Sequence, residues 1–422
     1  MKPYRAIFFL ILSILLANLA CTIPQISSAV PTPTETIPPT ATLLPTETPA
    51  AQVPTESPPT STPEPTTLPY QPAGYYVAPS GGGNILVYDL NNQVITQLSA
   101  PGLYGDNPSY AHLSGRLSNG PQDFSLVYFT WESSSLSVSN QSGVTPLLDF
   151  QNFYMLAGIP AQPYVAFVNL DYSETGLISY LTVGDVSGLP SAPVAMTVAD
   201  SESYAVRPLA LADAEGQPLG VYYTSVPYGI GGDIVFEPRR SLSYLELASY
   251  RPNEVLGVGL SPAGLSPDLT WVAYTALTNG PVTASPLTMA PIANLANPVS
   301  IPLLPESDRG AGAAVFSPDN QYIAWKEGSG WMMSETPNFH ATIRIATTSG
   351  TITAQIPDSA LSALIGNPAS IWVEPVGWLD NGTLLIEARG DEWEQATLLR
   401  VNPDGSGLAI LLPGGFMGFI YP

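Results

Sequence analysis

The side chains that could do chemistry are few in this chain, and their spacing matches no recognised catalytic or metal-binding motif. The two histidines, His112 and His340, have no acidic or histidine neighbour at metal-ligand spacing. HExxH, GxSxG, P-loop and glycine-rich dinucleotide patterns are absent from the sequence. We therefore predict no metal site, no cofactor and no enzymatic activity.

One cluster of acidic residues is the exception to this scarcity of reactive side chains. Paired carboxylates can act as acid and base on a glycosidic bond, and loop carboxylates can hold calcium. The spacing here lacks the DxDxDG pattern of a calcium loop, which favours a solvated hairpin tip. A glycan hydrolase or lyase site is the alternative interpretation. The cluster lies in the segment EARGDEWEQ and comprises Glu387, Asp391, Glu392 and Glu394.

The single cysteine, Cys21, follows a segment with the pattern of a bacterial leader. Positive charges at Lys2 and Arg5 precede an apolar stretch, and Leu19 and Ala20 lead directly to the cysteine. The apolar stretch is shorter than the roughly 20 residues that span a bilayer. Cleavage of the leader is therefore expected.

This arrangement resembles the lipobox of bacterial lipoproteins, although Asn18 stands where that family usually has an aliphatic residue. The resemblance implies that residues 1–20 are a signal peptide and that Cys21 carries lipid, such as palmitate. It also implies an extracytoplasmic protein, anchored through lipid to a membrane of the bacterial cell envelope. An ordinary signal peptide with an incidental cysteine, or an uncleaved anchor, is the alternative.

Residues 21–72 have the composition of a disordered linker. Pro, Thr, Ser and Glu dominate, in repeats such as PTPTET, PTETP and PTESPPTSTPEP. Such a segment buries too little apolar surface to offset its ordering entropy, and its prolines favour an extended polyproline conformation. Fully extended, at about 3.1 Å per residue, it would reach on the order of 100 to 150 Å.

The charge balance excludes nucleic acid as a partner. The chain has 34 acidic and 12 basic residues, a net charge of −22. Beyond the leader its one lysine is Lys326, and Arg239 and Arg240 form its one adjacent basic pair. A phosphate backbone requires several cations that converge on one face.

Residues 73–422 predict a single all-β domain. Short runs rich in Val, Ile, Tyr, Leu and Thr recur between Gly, Pro, Asn and Asp clusters. Runs such as LVYFTW and YVAFV are apolar at nearly every position, which indicates strands buried on both faces. Propeller blades bury both faces, and the units recur at roughly 40 to 50 residues, as four-stranded blades do. We predict a β-propeller of seven blades, with six or eight as alternatives.

Two units share a turn signature, LSPDLTWVAYTA and FSPDNQYIAWKE, and GWLDNGTLLIEA is a looser copy. Ser, Pro and Asp suit successive positions of a β-turn, so Asp268 and Asp319 are predicted turn formers rather than catalytic groups. The units resemble the repeats of TolB-like β-propellers, a branch of the WD-repeat-like group. In that family SPDG joins the first two strands of a blade, whereas Leu269 and Asn320 replace the glycine here. The resemblance implies a role in protein interaction.

The end of the chain is predicted to close the ring. Residues 75–98 supply three strands of the first blade, and Phe416–Tyr421, the apolar segment FMGFIY, would supply the fourth. Closure removes the exposed sheet edge that would otherwise favour aggregation.

Two tyrosine pairs are predicted to be core rather than a sugar-stacking platform. Successive strand residues face opposite sides, so each pair divides between two blade interfaces. The pairs are Tyr75 with Tyr76 and Tyr222 with Tyr223.

Long predicted loops suggest where a partner binds. The connections between the second and third strands of three later units, residues 225–233, 276–286 and 327–339, should leave the same face. The last carries Trp331, Met332 and Met333 at its tip, apolar side chains suited to a partner surface. We expect a binding or scaffolding module for an envelope protein or polysaccharide. Packing of the tip back over the blade edge is the alternative.

Overall fold

The computed structural model describes most of the domain C-terminal to residue 73. The predicted leader, Cys21, the Pro/Thr-rich linker and the loop tip with Trp331, Met332 and Met333 lie outside the described residues. The described ranges are 74–80, 83–101, 115–117, 124–130, 135–149, 153–158, 164–173, 176–185, 193–198, 203–228, 236, 239–276, 285–305, 309–329, 339–367, 372–390 and 396–420.

These residues form seven four-stranded antiparallel sheets, the blades of a propeller. Blade 1 contains β1 (Tyr75–Ser80), β2 (Asn84–Asp89), β3 (Val94–Ser99) and, from the chain end, β28 (Gly418–Ile420). Blade 2 contains β4 (Gly115–Leu117), β5 (Phe124–Thr130), β6 (Ser135–Asn140) and β7 (Gly143–Asp149). Blade 3 contains β8 (Phe153–Gly158), β9 (Tyr164–Ser173), β10 (Gly176–Asp185) and β11 (Val194–Met196). Blade 4 contains β12 (Tyr204–Ala214), β13 (Gln217–Pro227), β14 (Arg240–Glu246) and β15 (Arg251–Leu256).

The last three blades continue the same order. Blade 5 contains β16 (Leu260–Leu265), β17 (Trp271–Ala276), β18 (Leu287–Pro291) and β19 (Val299–Ile301). Blade 6 contains β20 (Gly310–Phe316), β21 (Tyr322–Ser329), β22 (His340–Thr347) and β23 (Ile352–Pro357), and the helix α1 (Asp358–Ile365) follows it. Blade 7 contains β24 (Trp372–Asp380), β25 (Thr383–Arg389), β26 (Ala396–Val401) and β27 (Ala409–Pro413). The prediction of seven blades is confirmed.

The first strands of neighbouring blades contact one another, for example β8 with β12, β16 with β20 and β20 with β24, so they surround the central axis. The core lies between blades rather than within one layer. Leu384 and Ile386 of β25 are buried against blade 6, and Leu385 between them is buried against blade 1. Burial of both faces explains why the strands are apolar without alternation.

The tyrosine pairs divide between interfaces as predicted. Tyr76 is fully buried in the cluster shared by blades 7 and 1, and Tyr75 packs toward blade 2. Tyr223 lies between blades 3 and 4, and Tyr222 packs toward blade 5.

The SPD segments form the turns between the first and second strands. The backbone carbonyl of Ser266 accepts a hydrogen bond from Leu269 N at 2.9 Å, and its Oγ accepts one from Trp271 N at 2.8 Å. The Asp268 carboxylate accepts the backbone N–H of Thr270 at 3.1 Å. In blade 6, Ser317, Asp319 and Asn320 repeat this geometry, so both aspartates are turn formers, as predicted.

The chain end closes the ring, as predicted. Strand β28 pairs antiparallel with β1, with Tyr76 opposite Phe419, and Met417 N donates to the carbonyl of Val77 at 2.9 Å. The ring of Phe419 packs over Gly377 of blade 7, where a Cβ would lie 2.5 Å from it. The closing strand is therefore fitted to both blades.

The described helix α1 is eight residues long, and no helix in the described ranges is long and apolar enough to cross a bilayer. It begins after Pro357 and ends at Gly366, whose φ of 74° suits glycine. One of its residues, Leu361, is buried. The helix connects blade 6 to blade 7.

Candidate functional site

The connections between the second and third strands are long in blades 4 to 6. They comprise residues 228–239, 277–286 and 330–339, and in an antiparallel blade they leave the same face as the shorter β25–β26 connection. Helix α1, a fourth-to-first connection, lies on that face too. We call it the long-loop face. In blade 3 the same connection is only residues 174–175.

One residue of the blade 4 loop reaches blade 6. The ring of Phe236 lies against Gly312 of the first strand β20, where a Cβ would lie 2.4 Å from it. The same ring is 5.2 Å from Lys326 Nζ, measured to its centroid. The absence of a side chain at Gly312 thus lets this loop pack over the inner part of blade 6.

Lys326 is the central cation of this region. Its side chain is 1% exposed, and Nζ donates to Glu374 Oε2 at 3.2 Å and lies 3.5 Å from the centroid of the Trp372 ring. Burial lowers the pKa of Lys326, and the Glu374 carboxylate acts in the opposite direction. Two aromatic rings and one carboxylate therefore enclose the ammonium group.

A second buried charge cluster lies toward blade 5. The Glu327 carboxylate is fully buried, accepts Arg344 Nη1 at 2.6 Å and lies 3.9 Å from Arg309 Nη1. It also accepts the backbone N–H of Leu304 at 2.6 Å. These groups join β21 and β22 to the connection that precedes β20, so the cluster stabilises the blade 5–6 boundary.

Glu387 belongs to a third cluster, and the solvated hairpin tip predicted for it is wrong. Its residue exposure is 7%; Oε1 accepts Arg389 Nε at 2.8 Å, and Oε2 accepts the backbone N–H of Phe416 at 2.8 Å. Burial raises the pKa of Glu387, while Arg389 acts in the opposite direction. Strand β25 continues to Arg389, so Glu387 lies within the strand rather than in a turn. Its side chain is on the same face as Leu385, toward blade 1, and binds the segment that leads into β28. Asp391, Glu392 and Glu394 lie outside the described residues.

Two carboxylates, those of Glu374 and Glu387, belong to residues directly opposite each other across the β24–β25 ladder. Their environments differ, since Glu374 pairs with Lys326 and is 38% exposed, whereas Glu387 is buried with Arg389. Each carboxylate accepts hydrogen bonds from a cationic group, which is the arrangement of structural ion pairs. Within the described ranges no three His, Cys, Asp or Glu residues converge as a metal site would require.

His340 acquires an acidic partner that its sequence neighbours do not provide. It starts β22, its side chain is 65% exposed, and Nδ1 lies 3.4 Å from Asp358 Oδ2 at the start of α1. The same carboxylate accepts the backbone N–H of Ala341 at 3.1 Å. The pair joins the helix to the edge of the long-loop face.

The structure describes the base of the predicted partner loop rather than its tip. Its ends are Ser329 of β21 and Phe339, whose buried ring stacks on Trp372 at 6.0 Å. The site around Lys326 was not predicted from the sequence. The available signal was the one lysine of the domain within an otherwise apolar strand, but its partners come from distant blades.

The fold defines the chain as a seven-bladed β-propeller. No known family profile matches the sequence, and no curated protein matches it. Among solved structures it is similar to a protein provisionally assigned as TolB from Agrobacterium tumefaciens, with 13% identity, a TM-score of 0.38 and coverage of 66% of this chain and 87% of that one. The propeller fold itself is established by the seven four-stranded sheets.

Two enzymes are among the other similar solved structures. Prolyl oligopeptidase B from Galerina marginata has 10% identity, a TM-score of 0.45 and coverage of 83% of this chain and 52% of its own. The chain therefore spans about half the length of that enzyme. An oligogalacturonate lyase in complex with manganese has 10% identity, a TM-score of 0.39 and coverage of 72% and 74%. At these identities the likeness extends to the fold alone.

Proposed function

We propose that the protein is an extracytoplasmic, lipid-anchored β-propeller that binds an envelope protein or polysaccharide on its long-loop face. The observation that carries this proposal is the grouping of three long connections, from blades 4 to 6, on one side of the ring. Loops held by a rigid scaffold are the usual site of recognition. The Phe236 and Phe339 contacts give two of these loops fixed bases.

The charge pairing on this face supports binding rather than catalysis. Lys326, Glu327 and Glu387 are buried and engaged with partners of opposite charge, which suits support of the loops. A glycan hydrolase or lyase remains the rival function, because Glu374 and Glu387 are opposed across one ladder.

Site-specific photo-crosslinking tests the binding face. A photoreactive amino acid replaces Met332 in one variant and Leu90 in another; Leu90 is 41% exposed between β2 and β3, on the opposite face. We expect one defined protein or polysaccharide adduct from position 332 and none from position 90. Equal adducts from both positions would contradict the assignment of the face.

An activity assay separates the two functions. The mature protein is incubated with envelope polysaccharides, and new reducing ends and unsaturated products are measured. We expect neither to form. Turnover that Glu374→Gln abolishes, while the variant keeps its fold, would establish the enzyme instead.

Lipid anchoring is tested by intact mass and membrane fractionation of the wild type beside Cys21→Ser. We expect the wild type to carry lipid and to sediment with membranes, and the variant to lack lipid. If both are unmodified and soluble after export, Cys21 is incidental and the protein is secreted.

A further inference from the structure

The boundary between blades 5 and 6 contains two buried N–H donors without a protein acceptor. They are the indole Nε1 of Trp325 and the guanidinium Nε of Arg344, and no group in the described part of the chain accepts a hydrogen bond from either. Trp325 is 1% exposed and Arg344 is 4% exposed. Because about nine-tenths or more of buried polar groups in proteins are hydrogen-bonded to protein or to ordered water, two such donors in one region indicate a bound acceptor.

The two donors are close neighbours. Trp325 of β21 and Arg344 of β22 are directly opposite in the antiparallel ladder, so their side chains lie on the same face of the blade. The Cζ atom of Arg344 is 5.1 Å from the centroid of the Trp325 ring. Nε is bonded directly to that Cζ, and Nε1 belongs to the indole, so one small ligand can reach both donors.

The rest of the Arg344 guanidinium is fixed by hydrogen bonds. Its Nη1 donates to the carbonyl of Pro302 at 2.7 Å and to Glu327 Oε2 at 2.6 Å. Pro302 lies in the connection that leads from β19 of blade 5 to β20 of blade 6. Because both bonds hold the group in place, Nε cannot turn toward another acceptor without breaking them. The donor pair is therefore preformed.

Hydrogen-bond chemistry selects the class of ligand. Both protein groups donate, so the ligand must accept two hydrogen bonds. Acceptors for the hydrogens of the ligand are also present, since the Pro302 carbonyl and the Glu327 carboxylate bind the same guanidinium. A water molecule accepts two hydrogen bonds and donates two, and buried waters typically make about three. An anion would lie beside the fully buried Glu327 carboxylate, and like charges repel strongly in the interior.

We propose that a single buried water binds between blades 5 and 6, where it accepts hydrogen bonds from Trp325 Nε1 and Arg344 Nε. It donates its own hydrogens to the acceptors that surround the guanidinium. The water thereby connects the β21–β22 ladder of blade 6 to the connection that leaves blade 5. This site lies inside the propeller, so the proposal stands independently of the long-loop face and its partner.

Crystallography of the mature protein locates the ligand directly, with crystals grown once in chloride and once in bromide. We expect a single peak of electron density about 2.7–3.2 Å from both nitrogens, with no anomalous signal in the bromide crystal. An anomalous peak at this position would identify the ligand as an anion and overturn the proposal. Absence of any peak there would overturn it as well.

An isosteric substitution tests whether the Trp325 donor is satisfied. Trp325→benzothienylalanine replaces the indole N–H by sulfur and keeps nearly the same ring volume. The matched control is the same substitution at Trp378, whose Nε1 donates to the carbonyl of Val315 at 3.1 Å. We expect the melting temperature to fall by a few degrees in both variants, because each loses a satisfied hydrogen bond. Unchanged or higher melting at position 325, beside a fall at position 378, would show that the Trp325 donor has no partner.

Discussion

Two residues take the place of glycine in the SPD turns and adopt its conformation. Leu269 and Asn320 have φ angles of 59° and 57°, the left-handed region that disfavours a Cβ. Asn320 offsets this cost through its side chain, since Nδ2 donates to Asp268 Oδ2 of the neighbouring blade at 2.6 Å. The turn of blade 6 is thereby joined to the turn of blade 5.

A pair of substitutions separates these two effects. Asn320→Ala should destabilise the protein by about 1–2 kcal/mol, because it loses the hydrogen bond and keeps the strained backbone. Asn320→Gly loses the same hydrogen bond but relieves the strain, so it should be about 1 kcal/mol more stable than the alanine variant. Urea denaturation measures both. Equal stability of the two variants would show that backbone strain does not matter here.

The Lys326–Glu374 pair is asymmetric, because the lysine is buried and the carboxylate is 38% exposed. Glu374→Gln leaves a buried ammonium group without its counter-charge and should cost about 2–4 kcal/mol at neutral pH. Lys326→Met leaves a carboxylate that water can reach, so we expect it to be nearly neutral. The comparison is made by denaturant unfolding, and a Lys326→Met variant as unstable as Glu374→Gln would contradict this account.

The same pair predicts a pH dependence. Burial lowers the pKa of Lys326 in the folded state, whereas the pKa of lysine in the unfolded chain is about 10.4. Between these two pKa values the unfolded chain binds more protons, so stability rises with pH. The deficit of Glu374→Gln should therefore shrink as the pH rises toward 10. The Lys326→Met/Glu374→Gln double variant, which cannot titrate there, should lack this recovery.

At the scale of elements, β28 decides whether the ring is closed. It pairs with β1, and the Glu387 carboxylate holds the preceding residue Phe416. Without it β1 would present an unpaired edge next to the apolar surface that Phe419 now covers. The strand therefore provides both hydrogen bonds and burial.

Deletion of residues 416–422 should give open or aggregated protein with a lower melting temperature. Size-exclusion chromatography with light scattering detects the change in state. Deletion of residues 421–422 alone is the control, because it leaves the β1–β28 pairing intact. A monomeric protein with unchanged melting after the longer deletion would show that closure contributes nothing.

The elements also show where a sequence pattern was informative. The apolar runs of β5 and β9 predicted strands buried on both faces, and the tyrosine pairs predicted which interface each ring would enter. Helix α1 was not predicted, since eight residues with one buried leucine give too short an apolar pattern.

For the whole molecule, net charge opposes compaction. The chain carries 34 acidic and 12 basic residues, and like charges on one domain repel. The three ion-pair clusters around Lys326, Glu327 and Glu387 are buried, so salt screens them less than the surface charge.

Added sodium chloride should therefore stabilise the protein. The Debye length falls from about 30 Å at 0.01 M to about 8 Å at 0.15 M, which weakens the surface repulsion. We expect the melting temperature to rise by a few degrees over this range, measured by calorimetry. An equal concentration of a neutral osmolyte such as sucrose controls for non-ionic effects. A fall in melting temperature would mean that attractive surface pairs dominate.

Only the structure decided between six, seven and eight blades. The sequence by itself was sufficient for the all-β class, the propeller and the closing strand. These features follow from local patterns, because strand length, two-sided burial and turn formation each depend on consecutive residues. It was also sufficient to predict that Asp268 and Asp319 form turns, since the hydrogen bonds that define each turn lie within five residues.

Tertiary structure alone decided the charge clusters and the pair of buried donors. The sequence predicted that Glu387 is a surface acid, whereas in the structure Arg389 and the distant Phe416 lie beside it. Lys326 meets Glu374 across 48 residues of sequence, and Tyr164 meets Gln217 across 53. Such contacts depend on how neighbouring blades pack around the ring, and residues far apart in the chain carry no local signal of that packing.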